Sequence, residues 1–109
     1  MGRYAQYRRR GGGGVGPTVG PPPLTITSVV ATGGQTCTIN FSGSITYDSS
    51  GNLTGFTING NTVIGASANP TSLDLTMSDT VGVSNTWILS ATPPEITQVI
   101  SAPDTGLLI

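Results

Sequence analysis

From Leu24 onward the apolar residues recur at every second position, in runs too short for helices and separated by turn-forming clusters. In Gln35–Ser42, Cys37, Ile39 and Phe41 share one face, and Thr36, Thr38 and Asn40 share the other. The same division sets Leu73, Leu75 and Met77 against Asp74, Thr76 and Ser78, and it places Trp87, Leu89 and Ala91 on one side of Asn85–Ala91. Side chains of an extended chain alternate between faces, so period two marks a strand with one buried face. No segment carries the 3.6-residue period of an amphipathic helix. The pattern predicts an all-β domain.

The remaining strands follow from the punctuation. Thr25–Ala31 reads as a first strand, which Gly33-Gly34 turns back. Ser44–Tyr47 and Leu53–Ile58 flank the turn-former cluster Asp48–Asn52. Ile58-Asn59-Gly60-Asn61 is a hairpin signal, because Asn-Gly accepts the positive φ of a type I′ turn. A short strand is expected around Thr62–Ile64, a loop over Gly65–Pro70 and a turn over Asp79–Ser84. Pro93-Pro94 stops the Trp87 strand, since proline cannot donate to a ladder. Ile96–Ile100 reads as a last major strand, and Leu107–Ile109 as a short final piece. About seven short strands at this spacing predict a sandwich or barrel. A body of this size buries roughly 60–65% of its extended surface, so its stability margin is modest and docking onto neighbours would add to it.

Residues 1–23 form a separate block: Arg/Tyr-rich, then Gly11–Gly14, then Pro21-Pro22-Pro23. Glycine maximises backbone freedom and consecutive prolines favour extended geometry, so nothing here nucleates a core. The expected organisation is an extended arm over 1–23, with a reach of about 70 Å when fully drawn out, and a β-sandwich over 24–109. Charge follows the same boundary. All four basic residues, Arg3, Arg8, Arg9 and Arg10, lie in the arm, whereas all five acids, Asp48, Asp74, Asp79, Glu95 and Asp104, lie in the body. Charged residues make up 8% of the chain, against roughly 25% in an ordinary soluble domain, so much of the surface is expected to face partners.

The order of features from Leu24 on resembles the Ig-like or fibronectin-type repeats of bacterial surface proteins and phage structural (capsid decoration) proteins. The matching pieces are Gly33-Gly34, Phe41-Ser42-Gly43, the run Leu53-Thr54-Gly55-Phe56-Thr57-Ile58-Asn59-Gly60, Leu73–Ser78, Trp87-Ile88-Leu89 and Asp104-Thr105-Gly106-Leu107-Leu108. The resemblance implies an Ig-like β-sandwich that works as a spacer, decoration or adhesive module, with no catalytic residues to carry over. This chain departs from it in being a single repeat with its own arm.

The residue inventory points away from enzymes. Histidine and lysine are absent, which removes the usual general base, metal ligand and Schiff-base amine. Cys37 alternates with Ile39 and Phe41, which makes it a core residue rather than a reactive thiol, and a lone cysteine forms no internal disulfide. The acids are widely spaced and lack a calcium-loop pattern, so neither cofactor nor metal is expected. Gly11–Gly14 follows no strand and opens no helix, so it is a linker rather than a phosphate loop. Trp87, Phe56 and Ile58 are core candidates.

The partner-binding candidates are Arg3, Tyr4, Tyr7, Arg8, Arg9 and Arg10, where cations interleave with aromatics. Arginine and tyrosine are favoured at interface hot spots, and an extended segment can wrap a large surface. The expected function is that of a non-enzymatic virion structural protein, a capsid decoration, cement or connector-associated protein anchored by its arm to capsid or connector subunits and present in many copies. With neither a secretory leader nor a membrane span in the sequence, assembly is expected in the host cytoplasm. Two alternatives stay open. One is a host-surface or glycan-binding module using the loops Asp48–Asn52 and Gly65–Pro70. The other is a nucleic-acid-contacting accessory protein, with arginines on phosphates and tyrosines on bases.

Overall fold

The alternating segments become strands because each buries one row of side chains against its facing sheet. The computed structural model of the chain describes residues 22–48 and 53–109. These residues form seven strands and no helix: β1 Ile26–Ala31, β2 Thr36–Phe41, β3 Phe56–Ile58, β4 Asn61–Ala68, β5 Ser72–Met77, β6 Thr86–Leu89 and β7 Asp104–Leu107. All pairings between them are antiparallel, in the order β1-β2-β5-β4-β3-β6-β7. Strands β1, β2, β5 and β4 make one face of the sandwich and β3, β6 and β7 the other, and the β3–β4 hairpin crosses between them. The far side is nearly closed as well, since the Ile109 amide donates to the Val29 carbonyl (3.0 Å) and the Ala31 amide to the Ile109 carbonyl (2.7 Å). Two sheets ordered 1-2-5-4 and 3-6-7 are the strand arrangement of a constant-type immunoglobulin domain. The expected all-β, Ig-like sandwich is therefore the fold.

The inward rows meet in one core. Cys37, Ile39 and Phe41 from β2 and Leu73, Leu75 and Met77 from β5 face Phe56 and Ile58 from β3 and Trp87 and Leu89 from β6, and no polar or charged side chain is buried among the described residues. Phe56 and Trp87 stack with ring centroids 6.1 Å apart and planes inclined by 27°. The expected hairpin is present: Ile58 pairs with Asn61 across Asn59 (φ 51°) and Gly60 (φ 81°), both with the positive φ of a type I′ turn.

Five expectations are corrected. Gly65–Pro70 is not a loop, because β4 runs on to Ala68. A bulge at Ile64 lets Val63 face Met77 while Gly65 faces Thr76, which returns Ala66 and Ala68 to the inner side. Ser44–Tyr47 forms no strand and contributes a single bridge from Tyr47 to Ile96. Ile96–Ile100 is not a strand either. Its alternation comes from two apolar plugs, Ile96 and Ile100, that pin a looping crossover to the core, with the Thr92 hydroxyl donating to the Ile100 carbonyl at 2.9 Å. Ala91 is exposed, because β6 ends at Leu89 and the chain leaves the sheet before it. The closing strand is Asp104–Leu107 rather than Leu107–Ile109.

Candidate functional site

Arg3, Tyr4, Tyr7, Arg8, Arg9 and Arg10 lie outside the described residues, as do positions 49–52 of the Asp48–Asn52 turn. What the structure places is the end of the sandwich at which the described chain begins, around Leu24. Leu24 forms a parallel bridge with Ile100, its amide donating to the Val99 carbonyl (2.9 Å) and its carbonyl accepting from the Ser101 amide (2.7 Å). Register gathers other chain segments at this end. Ile26 opposes Phe41, and Leu89 opposes both Phe56 and Asp104.

Three of the five acids lie here. Asp104 opens β7, and the Asp48 amide donates to the Glu95 carbonyl at 2.7 Å. The Glu95 carboxylate in turn accepts from the Thr54 amide (2.9 Å) and the Thr54 hydroxyl (2.8 Å), just ahead of β3. Partial burial of Glu95 opposes its ionisation, but the two bonds from Thr54 outweigh that and hold its carboxyl below the usual range. Burial, then the charges of Glu95 and Asp48, push the Tyr47 phenol up. Asp104 Oδ1 accepts the Thr105 amide at 2.8 Å. Asp79, which accepts from the Thr80 amide at 2.7 Å, lies at the opposite end, and Asp74 lies mid-sheet opposite Thr38. Leu24, near the start of the described chain, thus lies at the end of the sandwich that carries three of the five acids.

The outer face of β3-β6-β7 starts at this end. Ile88 pairs with Thr57 on one side and Thr105 on the other, so the three share the outward face, and Leu107 points the same way opposite Thr86. Ile88 is 46% exposed and Leu107 59%. At the start of β7 this face holds a shallow groove of about 380 Å³, lined by Ile88, Pro103, Asp104 and Thr105. Sequence reasoning missed this strip. Its signal was Ile88 itself, which fills the outward position between the inward Trp87 and Leu89 where a polar residue would complete the alternation.

The opposite outer face is polar on β2 and β5, with Ile64 exposed at the β4 bulge. Gly65 opens a second groove of about 410 Å³ on β2-β5-β4, bordered by Thr36, Ser67, Asp74 and Thr76. Asp74 accepts from the Thr38 hydroxyl (2.7 Å) and from Asn69 Nδ2 (3.1 Å), which hold its carboxyl below the usual range. Asn40 Nδ2 donates to Ser28 Oγ at 3.0 Å. The groove holds no aromatic side chain.

Cys37 is wholly buried, and that burial pushes its thiol up to about 11. It is the core residue its alternation predicts. Among the described residues no group of three or more His, Cys, Asp and Glu side chains could hold a metal ion.

No protein-family model and no curated protein matches the chain. Two solved structures are similar in fold. One is the S-layer protein rSbsC, at TM-score 0.60 and 13% identity over 80% of this chain and 13% of that one. The other is the N-terminal part of the bacterial S-layer protein SbsC, at TM-score 0.56 and 12% identity over 80% of this chain and 24% of that one. This chain thus matches only a small part of either protein, and at such identity the likeness concerns the fold alone.

Proposed function

We propose that this chain is a non-enzymatic structural module of a multi-copy protein assembly, in its specific form a capsid decoration or cement protein of a virion, held to neighbouring subunits by its basic arm. One observation carries the reading: the arm bearing every cationic residue of the chain joins the body at Leu24, at the end that gathers Asp48, Glu95 and Asp104. Copies packed around such an end would bring arginines to carboxylates, a pairing that fixes geometry as well as adding energy. The sparse charge and the exposed strip of Ile88 and Leu107 suit a surface that is covered in an assembly.

The test uses the full chain with Arg3, Arg8, Arg9 and Arg10 all changed to Glu. Its circular dichroism should match that of the unchanged chain, and it should fail to join particles when the two are supplied together. Normal incorporation of the charge-reversed chain would refute the docking role.

A second reading, binding of host glycans, draws on the hydroxyl-lined groove at Gly65, Ser67 and Asp74. A glycan array probed with the unchanged chain and with Asp74→Ala separates the two. Retention of a glycan that Asp74→Ala abolishes would favour this reading over assembly.

A further inference from the structure

We propose that the groove floored by Ile88 and Pro103 and edged by Asp104 and Thr105 receives the Arg/Tyr segment, residues 3–10, of a second copy of this chain. The inference rests on the arm being a docking segment and adds the surface on which it docks.

The face itself is the first argument. On β2 and β5 the outward strand positions are Thr36, Thr38, Asn40, Asp74 and Thr76, which are content in water. On β6 and β7 the outward row instead carries Ile88 and Leu107, both about half exposed. A groove whose walls are mainly apolar and whose rim bears one carboxylate fits a segment with aromatic rings and cations. Tyr4 and Tyr7 supply the rings, and Arg3 and Arg8–Arg10 the cations. Asp104 Oδ2 takes no hydrogen bond from any described residue, so it is open to an arginine.

Position is the second argument. Leu24 is hydrogen-bonded to the segment Val99–Ser101, which leads into Pro103, so the arm's exit and the groove are neighbours on one end of the sandwich. When donor and acceptor lie side by side on each copy, a two-fold pair can exchange arms reciprocally, and the contact closes without growing a filament. The proline run at the exit sets a second copy's segment ahead of the chain's own as occupant. Residues 3–10 are separated from Leu24 by the glycine run and Pro21–Pro23, and consecutive prolines favour a straight, extended exit rather than an immediate return.

Cysteine cross-linking in the full chain tests this, because Cys37 is buried and silent. Chains carrying Tyr7→Cys are mixed with mass-tagged chains carrying Thr105→Cys, or, as a control, Ser67→Cys on the opposite face. Under mild oxidation the Tyr7–Thr105 pair should form a mixed dimer at least about tenfold more than the Tyr7–Ser67 pair, and Ile88→Asp in the acceptor should lose that excess, as burial of an isoleucine is worth at least a factor of ten. Ile88→Thr, which suits a strand as well as its neighbours do, should weaken the cross-link in the same direction and covers the case in which Ile88→Asp does not fold. Equal cross-linking to Ser67 overturns the proposal, and so does internal closure of a doubly substituted Tyr7→Cys/Thr105→Cys chain as a monomer. If the charge-reversed arm abolishes particle incorporation while no Tyr7–Thr105 link forms, the arm docks elsewhere and only this inference falls. If incorporation survives charge reversal, the underlying reading falls with it.

Discussion

Gly106 sits directly opposite Trp87 in the β6–β7 ladder, and the indole occupies the space its side chain would need. A Cβ at Gly106 would lie 2.7 Å from Cζ2 and 2.8 Å from Cε2 and Nε1 of Trp87. Trp87 cannot simply swing away, because its other neighbour is the stacked ring of Phe56. Gly106→Ala is therefore an overpacking change and should destabilise the domain by about 1–3 kcal/mol. Urea denaturation followed by tryptophan fluorescence checks it, with an altered native emission spectrum expected as the ring shifts.

The β3–β4 turn depends on backbone conformation rather than on packing. A Cβ at Gly60 would meet no atom within 4 Å, yet its φ of +81° is one that L side chains rarely adopt. Gly60→Ala should thus cost about 1–2 kcal/mol from crowding against its own backbone, without a clash with any other residue, and Gly60→Asn should recover much of it, since asparagine tolerates this region. Comparing thermal midpoints of the three chains separates conformational strain from collision.

These two cases illustrate what could be read in advance. The Asn59-Gly60 turn and the inward rows of β2, β5 and β6 were legible because one strongly patterned face is buried and the turn chemistry is local. The second half of β4 was not. Gly65-Ala66-Ser67-Ala68 has small side chains on both faces, and the bulge at Ile64 breaks parity after Val63. Ile96 and Ile100 misled for the opposite reason, since two buried residues four apart look alike in a strand and in a pinned loop. β7 lacks a buried row altogether, so its pairing with β6 shows only in three dimensions. The placing of Leu24 and Asp104 at one end of the sandwich is a property of register between distant segments, which composition alone does not contain.

On the acid side, Asp74 and Glu95 should set the response. Both folded pKa values lie below the unfolded ones, so their contribution is fully present above the unfolded carboxylate range near pH 4 and is lost as pH falls through the folded values. Asp74 is exposed, so its share of stability is small. Its titration is the sharper readout. Thr38→Val removes the 2.7 Å bond from the hydroxyl, and the Asp74 carboxyl should then titrate at a higher pH by carbon-detected NMR. An unchanged midpoint would remove that hydrogen bond as the cause.

On the alkaline side the buried thiol decides. Cys37 keeps its proton in the folded state up to about 11 from an ordinary value of 9.0, because burial disfavours the thiolate. A folded pKa above the unfolded one means that the folded state holds more protons between those limits. Stability is therefore fully present below about pH 9 and declines as pH rises toward the folded value. Tyr47, pushed up by burial and by Glu95 and Asp48, adds to the decline above its ordinary 10.0. Cys37→Ala should lower stability at pH 7 by about 1 kcal/mol through the small void it leaves, yet flatten the curve between pH 9 and 11, leaving only the tyrosine's part. Thiol labelling gives the independent check. With Cys37 wholly buried, a disulfide reagent at pH 8 should react only as fast as the domain opens, and labelling should accelerate in step with urea. Rapid labelling of the native chain would mean that the thiol is reached without unfolding, and the alkaline decline would then need another cause.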